Sequence, residues 1–468
     1  MKSRVKKGLY LFSFFILASL MASCLGNSNA EDTYSITDAE LLSFNLSNNS
    51  DNYDSIPGLA NVVFTIDQQE PVGQIYNYDS LPYLTTVDAK VLVTYVSGSG
   101  MDNVLNITDG DSTWVKSSGD SIDISKPLTF RVYAIDGQTK LYNVQLNIHQ
   151  IDPDSVQYRQ VASELSFLQT DETKTVVLND QFLTYSKLPS SSSGMDSVIV
   201  LYQSSDAMAW MPDAAVSGLP VHAVVREIQS AGDRLFVYTD DGELYVRSDP
   251  AVDQWVLINK PEAVKVKSVL GYLNSDPKHP EGLSLIVETA GVNTFAFVSN
   301  NLTQWEYDSI SPTPVPDDFP VRGFSSYNYQ VMYTSRVSIF GGISLDGIVQ
   351  NAVWSTENGR YWAKLTGDAN VFPLLEGANV FYYNDGFWLI NGKLADGYNN
   401  EVYYSPDGGV TWSVLAGKCQ TPEEYPLRYN ASLVMDKENK HFYIIGGRRA
   451  FVYPDVWKGL LNKMEFDH

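Results

Sequence analysis

Five tryptophans, Trp210, Trp255, Trp305, Trp362 and Trp412, stand 45 to 57 residues apart. Each closes the same pattern: an apolar strand, a serine or a relative, a turn, then the indole. The clearest copy is Val402-Tyr403-Tyr404-Ser405-Pro406-Asp407-Gly408-Gly409-Val410-Thr411-Trp412. Looser copies end at Trp362, Trp305, Trp255 and Trp210. A period of this length marks a supersecondary unit that cannot bury its own apolar face and must stack on its neighbours. Four short strands per unit, arranged radially as propeller blades, meet that requirement.

A second element repeats out of phase with the first. Leu219-Pro220-Val221-His222, Phe319-Pro320-Val321-Arg322, Phe372-Pro373-Leu374-Leu375 and Tyr425-Pro426-Leu427-Arg428 open successive units. Further on in three units an apolar strand ends in glycine, at Gly341-Gly342, Asn391-Gly392 and Gly446-Gly447. The chain ends 11 residues after Trp457, too soon for another outer strand. An orphan strand, Ser155 to Val161, carries Tyr158 where the other units carry tryptophan. Six blades are expected. The last would take three strands from about 428–464 and its outer strand from about 155–162, hiding two exposed sheet edges.

The stretch from Ser405 to Trp412 resembles the Asp box of sialidases and related propellers. In that motif Ser405 and Asp407 would hold the turn, Gly408 and Gly409 would accept its dihedrals, and Trp412 would pack beneath it. The resemblance makes Ser405, Asp407, Gly409 and Trp412 structural rather than catalytic. The Pro-x-Arg and Gly-Gly elements resemble kelch repeats, so residues 151–468 are similar to the kelch and galactose-oxidase-like superfamily. There the residue at the arginine position lines the central opening and contacts ligand. Carried over, this implies His222, Arg322, Leu375 and Arg428 as a ligand-binding channel mouth. Two guanidiniums in an acidic protein would suit a carboxylate. The competing reading pairs Arg322 and Arg428 with acids that tie blades together, with His222 a satisfied structural histidine.

Residues 36–150 read as a separate β domain. Leu42–Leu46, Val62–Ile66, Val91–Tyr95, Leu128–Tyr133 and Tyr142–Ile148 alternate with period two. Asp136-Gly137 is a tight hairpin signal between the last two. About seven short strands suit an immunoglobulin-like sandwich, without the Cys…Trp…Cys pattern of antibody domains. Pro127–Gly137 followed by Tyr142-Asn143-Val144 resembles the closing hairpin of Ig-like domains in Bacteroidetes-type surface lipoproteins of unknown function, where such domains serve as spacers or adhesive modules.

Residues 1–23 carry a positive start (Lys2, Arg4, Lys6, Lys7) and an apolar run, Leu9 to Ala22, the pattern of a signal peptide. It ends in Leu20-Met21-Ala22-Ser23-Cys24, which resembles a bacterial lipobox. The resemblance implies cleavage before Cys24, diacylation of its thiol, a tether over residues 24–35 and an outer-membrane lipoprotein, since Leu25 stands where an inner-membrane retention signal has Asp. Acyl chains would anchor the protein firmly.

Composition narrows the function. The net charge of −23 opposes nucleic-acid binding and electrostatic docking on anionic membranes. Two cysteines build neither a disulfide framework nor a four-thiolate metal site. The histidines share no metal-ligand spacing, His-x-x-x-His and Gly-x-Ser-x-Gly are absent, and no third arginine completes a sialidase-like set. No cofactor and no metal are expected. The reading is an all-β, lipid-anchored, monomeric envelope protein: an Ig-like β-sandwich followed by a six-bladed β-propeller, with a non-catalytic role in binding a glycan or a surface protein. A structural envelope component is a further reading. The alternative is a glycan hydrolase or lyase using a carboxylate pair at the channel.

Overall fold

The computed structural model describes residues 39–462 apart from 49–55, 70, 88–89, 98–103, 109–110, 116–119, 169, 171–172, 190–196, 221, 249–253, 366–370 and 439. The expected signal peptide, Cys24 and the expected tether lie outside the described residues. The chain divides into two compact units, residues 1–153 and 154–468.

The described residues of the first unit hold two sheets. One has three strands, in the order Leu41–Asn48, Lys90–Ser97, Asp120–Asp123. The other has six, in the order Phe64–Asp67, Val72–Asn77, Thr139–Gln145, Leu128–Tyr133, Val104–Thr108, Asp111–Val115. All pairs are antiparallel except Val72–Asn77 with Thr139–Gln145. One core unites them: Leu41, Phe44, Leu46, Val91 and Val93 from the first sheet meet Ile75, Phe130, Val132 and Tyr142 from the second. The alternation of Leu128-Thr129-Phe130-Arg131-Val132-Tyr133 is the cause, since every second side chain is buried. Gly137 takes φ +86° in the tight turn after it, and Asp136 Oδ1 accepts the Gln138 N–H at 2.9 Å. Among the described residues nine strands are present where about seven were expected. The strands that the alternation did not mark are Val72–Asn77 and the three short ones between 104 and 123.

Among its described residues the second unit contains six four-stranded antiparallel sheets, besides the short pair Pro320–Arg322 and Ile343–Ser344. In order from inner to outer strand, sheet 1 is Lys174–Leu178, Gln181–Pro189, Ser197–Ser204, Met211–Ala215. Sheet 2 is Val225–Ala231, Arg234–Thr239, Leu244–Arg247, Val256–Leu257. Sheet 3 is Lys265–Leu273, Gly282–Thr289, Val292–Ser299, Trp305–Glu306. Sheet 4 is Ser325–Val331, Thr334–Phe340, Val353–Thr356, Ala363–Lys364. Sheet 5 is Asn379–Tyr383, Gly386–Ile390, Tyr403–Ser405, Ser413–Val414. Sheet 6 is Ser432–Met435, His441–Ile445, Val456–Asn462 and, from the other end of the unit, Ser155–Ala162.

The inner strands form a closed cycle: each adjoins the next in sheet order, and that of sheet 6 adjoins that of sheet 1. Hydrogen bonds stitch the junctions. Thr175 N donates to Ser432 Oγ (3.0 Å), Val380 N to Ser325 Oγ (3.1 Å), and Asn328 Nδ2 to Tyr272 O (2.6 Å). Sheet 6 joins the two ends of the unit, with Tyr158 opposite Gly459 and Gln160 opposite Trp457. Each sheet has apolar side chains on both faces, because each is packed between two others. Phe381, Phe387 and Trp388 are accordingly buried.

Candidate functional site

The turns preceding the outer strands of sheets 1, 3, 4 and 5 are built locally. In sheet 5, Asp407 Oδ1 accepts the N–H groups of Val410 (3.1 Å) and Thr411 (2.9 Å), and Ser405 Oγ donates to it at 2.9 Å. Ser405 Oγ also accepts the Gly409 N–H at 2.9 Å. Gly409 has φ +99°, and a Cβ there would press on Val353 Cγ1 at 3.0 Å. Trp412 Nε1 donates to Gly409 O at 3.0 Å, and its ring packs edge-on against Phe372 and against Phe340 of sheet 4. Burial would raise the Asp407 carboxyl, but hydrogen bonds from Thr411, Ser405 and Val410 hold it below the usual carboxylate range. The same geometry recurs at Ser204 and Asp206 before Trp210, and with asparagine at Asn301 and Asn358. These side chains are spent on backbone donors, so the turn is a structural staple.

The four expected channel-mouth residues are not brought together as one set. His222 and Arg322 are exposed. Leu375 and Arg428 are 0 % exposed, which corrects their assignment to a ligand-contacting mouth. Leu375 packs in an apolar cluster with Phe372 and Leu389. Arg428 makes a two-pronged ion pair with Asp455, Nη1–Oδ1 2.7 Å and Nη2–Oδ2 3.1 Å. It also donates to Gly446 O (2.6 Å) and Pro426 O (3.2 Å), and lies between the rings of Tyr425 and Tyr453. Burial pushes the Tyr425 hydroxyl up to about 12, so it remains a neutral donor to Asn391 Oδ1 at 2.8 Å.

The register explains the mismatch. Gly323, Gly377 and Asn430 occupy equivalent left-handed positions, with φ +62°, +63° and +54°. Gly377 N donates to Gly323 O (2.8 Å) and Asn430 N to Gly377 O (2.9 Å), linking three neighbouring sheets at one end. Counting back from these residues, Arg322 is equivalent to Glu376 and Tyr429, one place after Leu375 and Arg428. Pairing agrees: Arg322 pairs with Ile343, Glu376 with Lys393, and Tyr429 with Arg448. The proline-based alignment slips by one because one fewer residue separates Pro320 from its left-handed residue.

This end of the unit is asymmetric. Sheets 4, 5 and 6 join their second and third strands by long hairpins, 341–352, 391–402 and 446–455, whereas sheets 2 and 3 use the tight turns 240–243 and 290–291. The hairpins of sheets 5 and 6, with the segments they pair to, carry Glu376, Lys393, Tyr398, Tyr429, Arg448 and Arg449. Lys393 Nζ pairs with Glu376 at 3.3 Å and lies 5.5 Å from the Tyr429 ring centre. The Arg449 guanidinium lies 5.0 Å from the Tyr398 ring centre, and the two tyrosine rings are 6.1 Å apart. A narrow cleft beside them is lined by Thr173, Asn430 and Arg448. The Gly-Gly ends of the second strands were the sequence signal for these hairpins. Their side chains carry no repeat, which is why the pattern did not single them out. Among the described residues no group of three His, Cys, Asp or Glu is placed to hold a metal ion. No described helix is long and apolar enough to cross a membrane.

A cycle of radially stacked four-stranded sheets defines the second unit as a β-propeller. The family model described as the DUF6242 beta propeller domain matches residues 152–468, and that of the DUF6242 N-terminal domain, a domain of unknown function, matches residues 35–146. The chain belongs to the DUF6242 family. Among solved structures, that of YjhT is similar over 62 % of this chain and 94 % of its own, with 13 % identity and a TM-score of 0.40. No curated protein shows significant sequence similarity to the chain.

Proposed function

We propose that the protein is a lipid-anchored component of the bacterial cell envelope whose propeller binds a glycan or a surface protein without transforming it. In this reading Cys24 carries the lipid, the first unit is an Ig-like stalk, and the six sheets are six blades of kelch and Asp-box type. The observation that carries the binding role is the concentration of tyrosines and cations on the long hairpins of sheets 5 and 6. Aromatic rings beside guanidinium and ammonium groups are the composition of binding hot spots, and here they stand on a chain of net charge −23.

Screening the full chain on an array of glycans and envelope proteins tests this. A ligand lost in Tyr429→Ala but retained in Arg159→Ala, a substitution on the outer strand of sheet 6, supports it. Binding that survives every substitution on the hairpins refutes it. Incorporation of labelled palmitate that disappears in Cys24→Ser tests the anchor separately. Glu376 on the same end favours the hydrolase or lyase alternative, for which new reducing or unsaturated ends, lost in Glu376→Gln, are the signature.

A further inference from the structure

We infer that the ligand of the sheet 5–6 hairpins is an anionic glycan, a pyranose chain bearing carboxylates or sulfates; this rests on the glycan-binding reading above. The Arg449 side chain is exposed and makes no hydrogen bond or ion pair among the described residues, only the contact with the Tyr398 ring at 5.0 Å. Its donors are therefore turned to solvent while its charge is held in place over an aromatic face. Arg448 stands beside it, and Lys393 lies over Tyr429 next to Tyr398. The acids on these two hairpins before Asp455 are Asp396 and Glu401, the latter accepting the Tyr403 hydroxyl, with Glu376 on the paired segment already matched to Lys393. Asp455 itself is consumed by buried Arg428.

The platform thus presents one exposed guanidinium, Arg449, with no acid partner among the described residues, on an acidic molecule that repels polyanions elsewhere. Guanidinium groups recognise carboxylate and sulfate oxygens by paired hydrogen bonds. The tyrosine rings add what a bare anion does not use, a flat apolar surface for the C–H face of a sugar ring. Asn430, whose exposed side chain makes no hydrogen bond among the described residues, offers an amide to sugar hydroxyls beside Arg448.

The test is calorimetric titration of the full chain with oligogalacturonate, neutral oligogalactan and poly-glutamate. Oligogalacturonate is expected to bind, to weaken as salt rises, and to lose affinity at least about tenfold in Arg449→Ala and in Tyr398→Ala, a change of about 1.4 kcal/mol. Arg449→Lys is expected to recover part of it, and Arg159→Ala to change nothing; near-ultraviolet circular dichroism verifies that each variant is folded. Oligogalactan binding that is equal to oligogalacturonate and indifferent to Arg449→Ala overturns the anionic inference but leaves the glycan reading standing. Poly-glutamate binding as tightly as oligogalacturonate overturns it in favour of an acidic polypeptide. Binding of neither saccharide overturns the inference and the glycan reading together.

Discussion

Arg428 and Asp455 form a two-pronged ion pair, 2.7 and 3.1 Å, inside the sheet that joins the two ends of the propeller. Asp455 Oδ2 also accepts the indole N–H of Trp457 at 3.0 Å. The pair therefore locks the segment entering the inner strand of sheet 6 to the start of its third strand.

Removing one partner leaves the other charged group buried without compensation, which costs about 3–5 kcal/mol. Arg428→Ala and Asp455→Ala are each expected to lower stability by that order in urea denaturation followed by tryptophan fluorescence. The double variant should cost less than the sum of the singles, because the two residues act through one interaction. An unchanged midpoint in either single variant would contradict the buried-pair account.

Asp276, with a side chain 1 % exposed, predicts an acid limb in the stability profile. Burial alone would raise its carboxyl, but hydrogen bonds from Lys278 N, the His279 side chain and backbone, and Ser335 N hold it at about 2. A carboxyl whose folded pKa lies below its unfolded value of ~3.9 adds stability above that value. The contribution is lost as pH falls from about 4 to 2. Melting temperature measured against pH should therefore fall less steeply across this window in Asp276→Asn than in the parent.

The turn staples of sheets 1 and 5 should act independently. Asp206→Ala and Asp407→Ala each remove a carboxylate that accepts two backbone N–H groups, and each is expected to cost about 1–2 kcal/mol. Since the sheets share no partner through these turns, the double variant should show the sum. Denaturant titration of the four proteins checks it, and a large coupling energy would show that the turns are not local.

Strand Ser155–Ala162 covers the edge of Val456–Asn462. A chain starting at Glu164 would leave that edge unpaired, and is expected to self-associate or aggregate where a chain starting at Asp154 stays monomeric. Light scattering distinguishes the two outcomes. A monomeric, equally stable shorter chain would mean that the strand is dispensable.

The propeller class was legible from the tryptophan period because a sheet squeezed between two others needs apolar residues at the same places in every copy. The hairpin at Asp136-Gly137 was legible for a local reason, since its dihedrals depend on one glycine. The candidate site was not. Pro-x-Arg alignment made Arg322 and Arg428 look equivalent, yet one is exposed and the other fully buried. A one-residue difference in spacing before Gly323, Gly377 and Asn430 decides which side chain turns inward, and local sequence does not reveal it.

By itself, the amino-acid sequence determined the repeating strand pattern, the turn chemistry around Ser405 and Asp407, and the acidic charge balance, because each depends on neighbours a few residues apart or on composition alone. Only the tertiary structure decided that Arg428 meets Asp455 in the interior and that Arg449 comes to rest over Tyr398. The first contact joins segments 27 residues apart within sheet 6 and the second joins hairpins of two neighbouring sheets, so both exist only once the chain has packed and excluded water.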